Sequence, residues 1–369
     1  MRKRDIIPLV ALVLICGGLW FVPGPRPVAS DDGAFVRARV LETDDSNVDK
    51  VGLIDYGTQR LTVEVQDGPA KGRTFTAYNE IRAQPDLDKH FAPGDIAVVA
   101  VQESALEDGE EPLVARDHWR NGWSAALFIG FCVLLCAFGG WTGLKALFSF
   151  VFSCLVVWKG VIPLALRGWP ASWTAFGAVA LLTGVIMYLV AGPTRKGLAA
   201  FLGSMLGIAT GLALAYLFGW LMHVNGATMP FVQALLYSGY ESLDLQDVFI
   251  GAMVLAASGA VMDLAMDLAS GIDEVALRRP ELSARELFRS GMRIGRGVVG
   301  TMTTTLLFAY SGGYLTLLMM FAAQGTPPRE FFNTPLVSAE IVKTLIGSFS
   351  LILVAPFTAA VGARILRRR

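Results

Sequence analysis

Charge is scarce in this sequence. Asp, Glu, Lys and Arg make up 17% of its 369 residues, against 54% hydrophobic, where a soluble domain carries about 25% charged residues. With a mean hydropathy of +0.52, this excludes a soluble enzyme, a disordered chain and a nucleic-acid binder built on a basic fold. Histidine is scarcer still, three in all, and His90 and His118 are too isolated to argue for zinc. The four cysteines, Cys16, Cys132, Cys136 and Cys154, all lie in apolar runs and read as small buried side chains. None is left to cross-link the polar stretch between residues 30 and 118. There is no Walker loop, no His-Glu-x-x-His and no Gly-x-Ser-x-Gly, so ATP hydrolysis, zinc proteolysis and elbow-serine chemistry have no visible basis. No internal repeat of the kind many secondary transporters carry is visible either.

Long apolar runs are what the chain has instead, with 39 Gly, 8 Trp and 22 Phe among its residues. A spanning helix needs roughly 20 apolar residues to cross a ~30 Å core. Eight runs qualify, near residues 6–22, 122–141, 145–165, 172–191, 198–222, 247–269, 299–322 and 340–362. The first follows Arg2-Lys3-Arg4 and, without a small-x-small cleavage site, reads as an uncleaved anchor rather than a signal peptide. With the N-terminus inside, sixteen Lys and Arg residues of the short connections fall on the cytoplasmic side, among them Arg195, Lys196, Arg278, Arg279, Arg364, Arg367, Arg368 and Arg369. Only Arg167 and Arg329 fall outside, so the positive-inside rule places both termini in the cytoplasm. Residues 228–240 are apolar but too few to span, which reads as a re-entrant or interfacial segment.

Residues 30–118 alternate with a period of two in Phe35-Val36-Arg37-Ala38-Arg39-Val40, in Arg60-Leu61-Thr62-Val63-Glu64-Val65 and in residues 95–101. Turn chemistry at Asp67-Gly68-Pro69, Lys71-Gly72 and Ala92-Pro93-Gly94-Asp95 separates them. Short strands joined by tight turns predict a small extracytoplasmic β-barrel, OB-like in size. The expected architecture is therefore mainly α, a polytopic membrane helix bundle of about eight transmembrane helices. Its parts are an anchor over residues 1–29, the β-rich domain over 30–118 and a seven-helix domain over 119–369.

Carboxylates at membrane depth cost from a few to above ~10 kcal/mol, which makes them functional candidates. Asp263, Asp267, Ser270 and Glu274 follow i, i+4, i+7, i+11, one helical face. Like charges one turn apart repel. Either a cation sits between Asp263 and Asp267 or at least one of them is protonated, and both states suit an ion- or proton-binding site. The alternative is structural, with Glu274 facing the Arg278-Arg279 pair. Met262 and Met266 form a neighbouring stripe that reads as core packing. Thr301, Thr303, Thr304 and Thr305 open the next apolar run, and Asn333, Glu340 and Lys343 begin the last. Hydroxyls not bonded to their own helix, together with these groups, are candidates to line a path; the alternative for Glu340 and Lys343 is a local ion pair. Gly203, Gly207 and Gly211 repeat at every fourth position, a signal for close helix packing within the chain or across a dimer. Ser283-x-x-Glu286 flanked by Leu282 and Leu287 reads as a capping box and staple opening a basic amphipathic helix near 283–295. That helix suits anionic lipid or a cytoplasmic partner.

The stretch 258–275, the run Gly300-Thr301-Met302-Thr303-Thr304-Thr305-Leu306-Leu307-Phe308-Ala309-Tyr310 and the run 333–348 resemble the YibE/F-like family of bacterial membrane proteins. The resemblance extends from about residue 35 to the C-terminus and includes the β-rich domain. Members often carry Asn where this chain has Thr304. It implies a polytopic inner-membrane protein and names no substrate.

These readings lead to a transporter or channel for a small solute or ion, coupled to protons or cations through Asp263, Asp267 and Glu274, with no enzymatic activity and no cofactor. The alternative is a non-transporting scaffold or sensor whose outer domain binds a ligand or partner protein. The expected partners are the bilayer, the solute, a second copy of the chain and a cytoplasmic protein at 283–295, but not nucleic acid.

Overall fold

The structure, a computed structural model, describes residues 3–21, 34–52, 54–68, 70–85, 87–101 and 113–367. Arg2, Val22, Pro69, Arg368, Arg369 and the boundary expected at 29–30 lie outside them. The chain divides into two compact units, Pro27–Leu134 and Met1–Arg26 with Leu135–Arg369.

The smaller unit is a barrel. Its strands are β1 (Ala34–Asp44), β2 (Val48–Val51), β3 (Ile54–Val65), β4 (Thr74–Arg82), β5 (Ile96–Val101) and β6 (Leu113–His118). Five of them close a ring in the order β1-β3-β4-β6-β5-β1, with β2 hung on β3; only β4–β6 is parallel. The period-two pattern explains the closure. Val36, Ala38, Val40, Leu61, Val63, Val65, Ala97, Val99 and Val101 all point inward and are buried, while Arg37, Arg39, Arg60 and Glu64 between them do not. Alanines at 38, 77 and 97 face the interior and keep it narrow. Gln59 and Asn79, both buried, carry a polar network across this core. Gln59 donates to Asp45 Oδ1 (2.8 Å) and Phe91 O (2.9 Å) and accepts from Phe91 N (3.0 Å) and Asn79 Nδ2 (3.1 Å). Gly57 has φ 129°, and a Cβ there would strike the Asn47 carbonyl where β2 folds onto β3.

The larger unit is helical, and the start of its first long helix, Asn121–Leu134, falls in the smaller unit. Its elements are α1 (Lys3–Phe21), α2 (Asn121–Leu166, with one π-helical turn at Val157–Val161), α3 (Ala171–Ala191), α4 (Arg195–Leu221), α5 (Val232–Tyr237), α6 (Leu245–Arg278), α7 (Ala284–Gly313), α8 (Leu315–Gln324), α9 (Pro328–Phe331) and α10 (Pro335–Ile365). Among the described residues, five helices are long and apolar enough to cross a membrane by length and composition, and six if α7 and α8 count as one span bent by 68°. The difference from eight has local causes. The runs expected at 122–141 and 145–165 count as one 46-residue stretch by length and composition, within which two helical segments meet at a kink. It breaks only at Gly140, whose φ 52° and ψ −126° suit glycine. The anchor expected at 6–22 is helical as α1, Lys3–Phe21. The run at 299–322 is not a separate helix either, because the amphipathic helix from Ala284 continues into it with no proline to stop it. Residues 228–240 hold only the six-residue α5, entered through Phe231 at φ 62°.

Helices α6 and α10 form the centre, packed on each other and both on α4 and α7, with α3 against α6. Val261, Leu264, Leu268 and Ile272 of α6 meet Leu351, Val354, Ala355 and Ala359 of α10 in a fully buried core. The glycine repeat of α4 faces α10. A Cβ at Gly203 would come within 2.8 Å of Thr358 Cα, one at Gly207 within 3.0 Å of Val354 Cβ, and one at Gly211 would run into Ser350.

Candidate functional site

Helix α6 has two faces. Its buried face includes Ile250, Met253, Val254, Ala257, Val261, Leu264, Ala265, Leu268 and Ile272. Its outward stripe reads Ala252, Ala256, Gly259, Asp263, Asp267 and Glu274, small side chains first and then acids. Asp263 and Asp267 therefore stand one turn apart and exposed on the protein surface, on the helix that carries the bundle core. Among the described residues neither carboxylate has a hydrogen bond or ion pair. Glu274 does not join them: it takes Arg278 Nε at 2.6 Å, an exposed i,i+4 pair worth little. Met262 and Met266, half-buried, pack against the core. Among the described residues no three His, Cys, Asp or Glu side chains converge as a metal site.

The threonine run satisfies itself. Thr301 Oγ1 donates to Val298 O (2.9 Å), Thr303 to Val299 O (2.7 Å), Thr304 to Gly300 O (3.0 Å) and Thr305 to Thr301 O (3.0 Å). Each hydroxyl still presents two lone pairs outward, and Thr301, Thr304 and Thr305 are exposed. Of the α10 candidates, Glu340 and Lys343 form the pair their spacing allows, at 2.7 Å and about a quarter exposed. Lys343 Nζ lies 5.9 Å from the ring centre of Tyr310 on α7. The Tyr310 hydroxyl is buried there with no partner among the described residues, over Gly347. Asn333 is not part of this cluster; its amide donates to Arg329 O in a local turn (2.7 Å).

One cluster escaped sequence reasoning. Asp247, 8% exposed in the first turn of α6, accepts the Ser172 N–H at the start of α3 (3.0 Å) and the Tyr216 hydroxyl of α4 (2.6 Å). The hydroxyls of Ser172 and Tyr216 lie 2.6 Å apart. Helix α3 opens after Pro170 with no side-chain cap of its own, so a carboxylate 75 residues away caps it. Asp247 and Tyr216 border a cleft of about 430 Å³ shared with Trp169, Trp173 and Asp244. The available signal was Asp244-x-x-Asp247 at a helix start, the first capping α6 itself through the Asp247 N–H at 3.0 Å.

The comparison with protein families gives one match, the family described as YibE/F-like protein, over residues 127–368. The match begins after the barrel, so the resemblance expected from residue 35 is narrower than the sequence runs implied. No curated protein and no solved structure matches the chain.

Proposed function

This chain belongs to the YibE/F-like family, and from that premise we propose that it is a multi-pass inner-membrane transporter or channel for a small solute or ion, coupled to protons or cations. The observation that carries the proposal is the pair Asp263 and Asp267, one turn apart on the central helix α6 and without a protein partner among the described residues. An unpaired carboxylate at membrane depth is stable only with a proton, a cation or water beside it. Two of them four residues apart bind such a charge between them more favourably than either alone. The exposed Thr301, Thr304 and Thr305 supply neutral oxygens on the neighbouring helix α7, the ligand type a partly dehydrated cation or a water file needs. Tyr310, Glu340 and Lys343 form a second polar point at the α7–α10 contact. Sixteen basic residues against two support cytoplasmic termini and an extracytoplasmic barrel.

The test is flux through proteoliposomes. Wild-type protein is expected to dissipate an imposed pH or cation gradient, and the D263N/D267N variant to insert normally and lose at least ten-fold in rate. A double variant moving the same ion at the wild-type rate would remove the two aspartates from the mechanism.

A second reading has its own support in the barrel. Five strands closed with one parallel pair have the strand order of an OB-like fold, whose surface commonly binds extended ligands. On that reading the outer domain binds a ligand or partner, and the bundle anchors or signals. Deleting residues 34–118 separates the two, since transport survives in some form under the first and all function is lost under the second.

A further inference from the structure

A different end of the bundle carries a feature that transport through Asp263 and Asp267 does not use. The N-terminus of α4 and the C-terminus of α10 border an open cleft of about 950 Å³ lined by Thr194, Arg195, Lys196, Arg364 and Arg367, with Asp273 of α6 as its one carboxylate. Four cations against one anion would be unremarkable if they were paired. Here, among the described residues, none of the five charged side chains forms an ion pair or hydrogen bond. The backbone adds to the field. Thr194 Oγ1 takes only the Gly197 N–H (3.2 Å), which leaves the Arg195 and Lys196 N–H groups without intrahelical acceptors at the positive end of a 27-residue helix. Leu366, buried at 3% exposure, lines the cleft beside the charged side chains.

Four like charges converging on one cleft repel unless an anion is shared among them. Planar guanidinium forks from Arg195, Arg364 and Arg367 fit tetrahedral oxyanions two oxygens at a time, and Lys196 adds a point charge. We propose that this cleft binds a phosphate group, carried either by an anionic lipid headgroup or by a soluble phosphate compound. The volume exceeds that of free phosphate and leaves room for the rest of the molecule that bears it.

The experiment uses the full-length protein in two arms. Native mass spectrometry counts phosphatidylglycerol retained after extraction from phosphatidylcholine vesicles containing it, and a thermal-shift titration with inorganic phosphate and pyrophosphate reads soluble binding. Wild-type protein is expected to respond in at least one arm, and the R195Q/K196Q/R364Q/R367Q variant to lose that response at least five-fold. Lipid retention without a phosphate response assigns the site to a headgroup; the reverse assigns it to a soluble compound. The R278Q/R279Q variant removes cations from the end of α6 instead and should bind as wild type does. Equal losses in both variants would show diffuse attraction between basic residues and anions and would overturn the proposal, as would no response in either arm. D273N provides a milder check that disturbs folding less, because removing the one opposing carboxylate should tighten binding several-fold, and unchanged or weaker binding contradicts the site.

Discussion

Adding one methyl group to Gly203 tests the packing that holds the bundle together. The Cβ of an alanine there would lie 2.8 Å from both Cα and Cβ of Thr358, with Thr358 Oγ1 nearer still. Because Cα belongs to the backbone, no rotamer change relieves the contact, and α4 and α10 must separate along their shared seam. Overpacking of this kind costs about 1–3 kcal/mol, against up to about 1 kcal/mol gained from replacing a helical glycine. With the central overpacking cost of about 2 kcal/mol, the net loss of about 1–2 kcal/mol corresponds to roughly 2–8 °C in melting temperature, readable by size-exclusion chromatography of heated, detergent-solubilised protein. Two controls sharpen the reasoning. Gly177 and Gly259 have nothing within 4 Å of a built Cβ, so alanine there should leave the melting temperature unchanged or raise it. Gly211→Ala meets only the side chain of Ser350, so Ser350→Ala should partly rescue it, whereas Thr358→Ala should not rescue Gly203→Ala. Gly203→Ala melting at or above wild type would refute the close α4–α10 approach.

Tyr216→Phe removes the hydroxyl that serves both Asp247 and Ser172 and should cost about 1–2 kcal/mol, seen as a lower melting temperature in the same assay; Asp247→Ala, which also uncaps α3, should cost more. In the barrel, Gln59→Leu leaves Phe91 N and O and Asn79 without their partner, a loss of about 2–4 kcal/mol. Hydrogen exchange at the Phe91 amide should then rise by orders of magnitude while that of the helical unit stays unchanged. The backbone N–H of Arg82, with that of Gln84, holds the Asp88 carboxyl below the usual carboxylate range. A depressed folded value means that its contribution is complete above the unfolded pKa of about 4 and is lost as pH falls through the folded value. The Arg82 and Gln84 amides should therefore lose Asp88 on acidification, and Asp88→Asn should remove that pH dependence, as their exchange against pH will report.

The parts legible in the sequence are those set by local periodicity. Leu61, Val63 and Val65 announced an inward face because a strand repeats every two residues, and Ser283 with Glu286 announced a helix start because a capping box is complete within four residues. Both bonds of that box form, Glu286 N to Ser283 Oγ at 3.3 Å and Ser283 N to Glu286 Oε2 at 2.8 Å. Where a helix changes character without changing geometry, the pattern misled. Residues 284–313 pass from basic and amphipathic to apolar, which reads as a surface helix followed by a span, yet no residue there interrupts the backbone. The break between the runs at 122–141 and 145–165 was legible in the sequence, and it forms at Gly140 on that glycine's positive φ. Asp247 was missed because a carboxylate at a helix start looks like a cap for its own helix, and only the fold brings α3 to it. The basic cleft gathers residues from 194–196, 273 and 364–367, separations that no local pattern spans.

The central claim is that Asp263 and Asp267 hold the coupling charge. Infrared difference spectra of the reconstituted protein, recorded as pH is stepped between about 4 and 10 and as candidate cations are exchanged, read those carboxyls directly. The account predicts a carboxylic-acid band or a cation-dependent carboxylate shift that weakens in D263N and in D267N and disappears in the double variant. Spectra of the double variant identical to wild type would contradict it.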